Sequence, residues 1–162
     1  MAIDATGTGD VTPTNILWTG IGALPDTVSP IATEKNVYTL SSQGYLTCYD
    51  PSNVRNNRAM YWELEVGGGR ANFYSSPLLV GHRLYLFDKT EENPKEKAKP
   101  MAFVIDLSKA EVDDKGSLTD ESSAAMIIAA NPMSEPTVAS PAALDGRLFI
   151  RSETTLFCLG EK

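Results

Sequence analysis

Apolar residues in this chain fall in short runs bounded by polar turns, and the runs recur. Val37-Tyr38, Leu84-Tyr85 and Leu148-Phe149 each open an aliphatic-aromatic run. Each stands at the same offset from a Ser-Pro pair, namely Ser29-Pro30, Ser76-Pro77 and Ser140-Pro141. A second set of runs follows at residues 45–50, 101–106 and 155–160. A third set, residues 14–20, 60–66 and 126–130, precedes the Ser-Pro pairs. Runs this short, rich in Val, Leu, Ile, Tyr and Phe and punctuated by Gly, Asp, Asn and Pro, predict strands rather than helices. The turns between the first two strands of each set are Glu34-Lys35-Asn36, Gly81-His82-Arg83 and Asp145-Gly146-Arg147. Asp145-Gly146 is the strongest hairpin signal, because a primed two-residue turn requires positive φ at both positions. Apolar residues occupy both faces of the runs, as expected of sheets covered on both sides.

An anchor and a strand repeated at one offset predict an array of like units, and strand-rich units point to a β-propeller. The expected fold is all-β, with about three four-stranded antiparallel units in a partial propeller. A loose N-terminal segment, residues 1–12, precedes repeats over 13–162, with units at about 14–50, 59–108 and 124–160. Leu17-Trp18 aligns with Tyr61-Trp62 and with Ile127-Ile128 on the outer strands. The second unit carries a charged, Pro-bounded insertion at residues 89–100, read as a solvated hairpin extension, and a polar excursion at 108–123. Three blades are too few to close a ring, since propellers have roughly 4–8. An open arc exposes apolar faces and strand edges, which favours association. The favoured expectation is a homodimer forming a six-bladed ring, each N-terminal strand completing a blade begun by a C-terminal triplet. Completion by another polypeptide, or membership of a longer chain, are the alternatives.

Charge and composition remove several function classes. The 162 residues carry a formal charge of −7, which disfavours nucleic acid and anionic lipid, both of which need a basic face. No apolar run approaches the roughly 20 residues of a membrane span, so no membrane insertion is expected. The N-terminus has neither the basic nor the apolar region of a signal peptide. Cys48 and Cys158, the two cysteines, fall mid-strand at the same position of the repeat. Equivalent positions of different blades lie too far apart for a disulfide, so both are expected to be buried free thiols.

Catalytic groups are scarce, and none is assigned as a catalytic, cofactor-binding or metal-binding residue. His82 is the single histidine, and its place in a hairpin predicts an exposed turn residue rather than a general base. No Gly-x-Ser-x-Gly elbow occurs. Gly67-Gly68-Gly69-Arg70 leads into a strand, whereas a phosphate cradle needs a helix N-terminus. Asp113, Asp114, Asp120 and Glu121 lack the ligand spacing of a calcium loop. Ser29, Ser76 and Ser140 recur in every unit, as packing or turn elements do.

Three inner strands followed by an outer strand bearing Trp, with Tyr49-Asp50 leading to Trp62, resemble the pyrroloquinoline-quinone-like (PQQ-like) β-propeller repeat. The linker, residues 51–58, is longer than in that family and lacks its Thr-Gly-Lys. Gly9-Asp10-Val11-Thr12, residues 146–151 and residues 156–160 resemble the C-terminal part of exported bacterial proteins of the family. The resemblance implies that Trp18 and Trp62 dock between blades, and that the protein is exported. Its quinone enzymes hold the cofactor between a Trp and a disulfide of adjacent cysteines, beside Ca²⁺. This chain has no adjacent cysteines, so the expectation is no cofactor and a non-catalytic scaffold that binds a protein partner or itself. Loops 67–73, 88–100 and 131–136, or sheet edges, would form the binding surface. The alternative is a subunit of an exported quinone-dependent or hydrolytic enzyme whose active site lies elsewhere.

Overall fold

A computed structural model describes residues 1–54, 58–90 and 99–160. In chain order its elements are β1 (Ala2–Ile3), β2 (Ile16–Gly20), β3 (Ile31–Ala32), β4 (Val37–Leu40), β5 (Tyr45–Tyr49), β6 (Arg58–Ala59) and β7 (Trp62–Glu65). There follow β8 (Leu78–Val80), β9 (Arg83–Phe87), β10 (Met101–Asp106), helix α1 (Asp120–Met126), β11 (Ile127–Pro132), β12 (Ala142–Leu144), β13 (Arg147–Arg151) and β14 (Leu156–Leu159). Most of the insertion expected at 89–100 lies outside the described residues.

The strands form successive antiparallel meanders. Blade 1 has the order β3-β4-β5-β7, blade 2 the order β8-β9-β10-β11, and blade 3 the order β12-β13-β14. A small sheet, β1-β2-β6, precedes them. The fold is an open, partial β-propeller. Its turns follow the sequence signals: Asp145 and Gly146 have φ of 49° and 71°, the primed geometry that joins β12 to β13 without splaying them.

Alternation along each strand sends side chains to both faces, so each blade has two apolar surfaces to cover. Leu40, Leu46, Cys48, Trp62 and Leu64 of blade 1 meet Leu84, Leu86, Phe103 and Ile105 of blade 2 in the largest core. On the reverse face of blade 1, Tyr49 and Ala59 pack with Trp18. Trp18 stacks on Tyr49 at 5.6 Å between ring centroids, and Trp62 lies 6.0 Å from Tyr38. Phe87 and Ala102 of blade 2 meet Ile150 of blade 3, with Leu148 and Phe157 beside them. Each full burial of such a side chain is worth about 1.5–3 kcal/mol, so stability is distributed along a row of inter-blade cores.

The recurring serines have a structural role. The Ser29 N–H donates to Ser76 Oγ at 3.0 Å, and the Ser76 N–H donates to Ser140 Oγ at 3.0 Å. Each anchor thus hands its backbone donor to the hydroxyl of the next, tying successive blades together where their first strands begin. β12 and β8 approach each other beside these anchors.

Three expectations are corrected. The polar excursion contains a helix: Thr119 Oγ1 caps α1 by accepting from the Ser122 N–H, Asp120 and Glu121 occupy its first turn, and Met126 is fully buried at its end. The outer strand of blade 2 therefore starts at Ile127 rather than Met126. A bulge between Val104 and Ile105 then moves the register, so Ala129, not Ile128, occupies the place of Trp62. Finally, Cys48 is buried but Cys158 is exposed. β7 covers Cys48, whereas β14 is the edge of a three-stranded sheet.

The serine relay is directional, and that gives a test. Ser76→Ala removes an acceptor and should cost about 1 kcal/mol. Ser29→Ala removes a hydroxyl that accepts no backbone amide among the described residues, and should change stability by less than about 0.5 kcal/mol. Equal losses in urea melts of the two variants would rule the relay out.

Candidate interaction surface

Several of the residues with chemical potential have structural partners. His82 is exposed in the β8–β9 turn, with Nε2 3.7 Å from Asp106 Oδ1. Asp106 is itself held below the usual carboxylate range by the Ser108 hydroxyl, which donates to it at 2.6 Å. Gly67, Gly68 and Gly69 all have positive φ and carry the chain to Phe73, fully buried and bridged to Asp88. Burial pushes the Cys48 thiol up to about 12, far above the range of a reactive thiolate.

An open cleft of about 790 Å³ lies between Met60, Tyr61 and the 112–117 turn. Of its two lining carboxylates, Asp113 and Asp114, Asp113 accepts the Lys115 and Ser117 backbone amides through Oδ1 at 2.9 Å each. Among the described residues, no group of three or more His, Cys, Asp or Glu side chains is positioned around a common metal site.

Two of the loops expected to bind partners, 67–73 and 131–136, also tie neighbouring segments together. In loop 67–73 the Asn72 backbone N–H donates to Asp88 Oδ1 at 3.1 Å, and outside these loops the β2–β3 connection is tied likewise, Asp26 Oδ2 accepting from the Ser42 hydroxyl at 2.7 Å. Glu135, in the 131–136 connection, makes the fullest tie. Its Oε2 accepts from the Ser152 hydroxyl at 2.6 Å and the Thr154 amide at 2.9 Å. Its Oε1 accepts from the hydroxyls of Thr154 and Thr155 at 2.7 and 2.9 Å. Loop 88–100 is described only at its ends.

Exposed large apolar residues occur along the row, Leu24, Met60, Val80, Ile128 and Val138 among them, and others lie at the two ends of the arc. Ile3, Ile16 and Leu17 are exposed at the first end. At the other, Leu144 is 65% exposed, Leu156 67% and Leu159 52%. Strand pairing places Ala142, Leu144, Phe149, Leu156 and Cys158, together with the exposed Arg147 and Arg151, on the face of blade 3 that points away from blade 2. The corresponding face of blade 1, built from Tyr38, Cys48 and Trp62, is the one buried against blade 2. Blade 3 therefore presents a docking face with nothing on it, beside the free edge of β14. Uncovered end faces follow from the expected open arc; the exposure of Cys158 against the burial of Cys48 was not expected, because the two sit in like strands.

No protein-family model matches the chain, and no curated protein matches it. Among the solved structures it matches is the crystal structure of BamB from Moraxella catarrhalis, at 15% identity and a TM-score of 0.48. That match covers 88% of this chain and 34% of BamB, so the chain spans about a third of its length.

The Glu135 clamp predicts a pH dependence. Hydroxyl donation from Ser152, then the amide and hydroxyl of Thr154 and the hydroxyl of Thr155, lower its pKa from 4.5 to about 2. A depressed folded-state value means that the clamp stabilises fully above pH 4.5 and is lost as pH falls toward 2. The wild-type melting temperature should drop across that window more steeply than that of Glu135→Gln. Parallel curves would show that the clamp contributes nothing.

Proposed function

We propose that this chain is a non-catalytic propeller segment of the PQQ-like repeat type that works by associating with protein through the uncovered ends of its arc. The observation that carries this reading is the bare docking face of blade 3. Its counterpart in blade 1 is buried, and a soluble protein seldom leaves such a surface without a partner. The occupied carboxylates, the solvent-facing His82 and the inert Cys48 thiol support a non-enzymatic role. Export belongs to the same proposal and rests on the repeat resemblance.

Association could take the form of a six-bladed ring of two copies. That ring needs β2 of one copy to pair with β14 of the other, yet β1 already pairs with β2 through Ala2 and Trp18. Completion by a different polypeptide leaves that pairing intact and is the form favoured; without that partner, the same apolar face drives self-association of the purified chain as its concentration rises.

The test uses the apolar face directly. The wild type should bind a hydrophobic dye, and light scattering should show its mass rising above 17.5 kDa as concentration increases. The double variant Leu144→Glu/Leu156→Glu should lose both properties while keeping its melting temperature, since both side chains are exposed. A wild type that stays dye-silent and monomeric at every concentration would contradict the proposal.

A further inference from the structure

The two joints between blades are not closed alike. Between blades 1 and 2, Leu40, Leu46 and Trp62 lie buried against Leu84, Leu86 and Phe103, within one cluster that runs on to Met126. Between blades 2 and 3 the buried apolar set among the described residues is Phe87, Ala102 and Ile150, and their neighbours Tyr85, Leu148 and Phe157 are only partly covered. Packing strength follows the apolar area removed from water, so the second joint is the weaker.

The connections that cross the joints differ in the same sense. Phe73 and Thr137 each stand three residues before a relay serine, Ser76 or Ser140. Each donates its backbone N–H into the preceding blade, Phe73 to the Ser42 carbonyl at 2.9 Å and Thr137 to the Asp88 carbonyl at 3.2 Å. Phe73 is fully buried, its ring 6.0 Å from that of Phe103. Thr137 is as deeply buried, but its hydroxyl has no hydrogen-bond partner among the described residues. A buried hydroxyl without a partner opposes the packing that buries it. One joint is plugged by an aromatic ring, and the other carries an unsatisfied polar group.

The chain also marks where the second joint can turn. The Met133 N–H donates to the Pro100 carbonyl at 2.8 Å, which holds that residue to blade 2. Glu135 is clamped to Ser152, Thr154 and Thr155 of blade 3. Ser134, exposed, lies between the two holds.

We propose that the joint between blades 2 and 3 is a built-in release point, at which residues 135–159 open as one cooperative unit while blades 1 and 2 stay packed. Opening gives up the burial of Phe87 and Ile150 and the amide bonds of Thr137 and Ser76 across the joint, and it hydrates the Thr137 hydroxyl. It also uncovers an apolar face of blade 2, so a protein that binds this face draws on the opened form as a minor state. The release point lies inside the row and does not depend on what covers the ends of the arc.

Thiol labelling with iodoacetamide tests this on the whole chain in a Cys158→Ser background. Cys48, native and buried, reports the joint between blades 1 and 2, and Ala102→Cys reports the joint between blades 2 and 3. The introduced thiol should react about tenfold or more faster than Cys48. Thr137→Val removes the unsatisfied hydroxyl and should slow the introduced thiol about tenfold. Ser140→Ala removes the acceptor of the Ser76 amide and should speed it about fivefold, with Cys48 unchanged in both variants. Amide exchange gives a second measurement that needs no introduced cysteine. β9 and β13 are each paired on both sides, so neither is an edge. The amides of β13 should nevertheless exchange faster, and Thr137→Val should protect β13 alone. Equal exchange of β9 and β13, or equal labelling of the two thiols, would overturn the proposal. Slowing of both thiols alike by Thr137→Val would overturn it too, because the arc would then open as a whole.

Discussion

A sheet with apolar side chains on both faces has to be covered twice, and the rest of this structure depends on that requirement. Alternation puts Leu46, Cys48 and Trp62 on one face of blade 1 and Tyr49 on the other, so a single covering layer would leave one of these sets in water. Stacking blade on blade meets the requirement in the interior of the row. It cannot meet it at the ends of an open row. The exposed leucines of blade 3 and the apolar residues around β1 and β2 are where that shortfall appears.

Stacking alone fixes neither the spacing nor the order of the blades, and short polar ties do so. The serine relay joins the starts of the first strands, so each anchor acts on its neighbour rather than on its own blade. Asp26, Asp88 and Glu135 fasten each inter-blade segment to the blade that it enters or leaves. These side chains are conspicuous in the sequence and resemble candidates for chemistry. They accept from amides and hydroxyls of the segments they tie.

The blades were legible because a fixed offset between a Ser-Pro pair and a strand survives any change in the residues between them. The helix was not, because seven residues are too few to show an amphipathic period. Its cap, Thr119, and the acidic residues after it were the available signal. The register of β11 was misread by one position because a bulge adds a residue that no composition reveals. Residues 1–12 hold few apolar side chains, and within them Ala2 and Ile3 pair with β2. Ile3-Asp4, set beside Tyr49-Asp50 and Ile105-Asp106, was the clue to that pairing. The fate of Cys158 was not readable, since burial depends on a neighbouring strand and not on the residue itself.

Amide hydrogen exchange tests the central claim, that one position of the repeat is closed in blade 1 and open in blade 3. β5 lies between β4 and β7, while β14 has a partner on one side only. The amides of Tyr45–Tyr49 should be protected to near the global stability, and alternate amides of Leu156–Leu159 should exchange orders of magnitude faster. Equal, strong protection of both strands in dilute monomeric protein would mean that the edge of β14 is already covered, and the account of an open arc would be wrong.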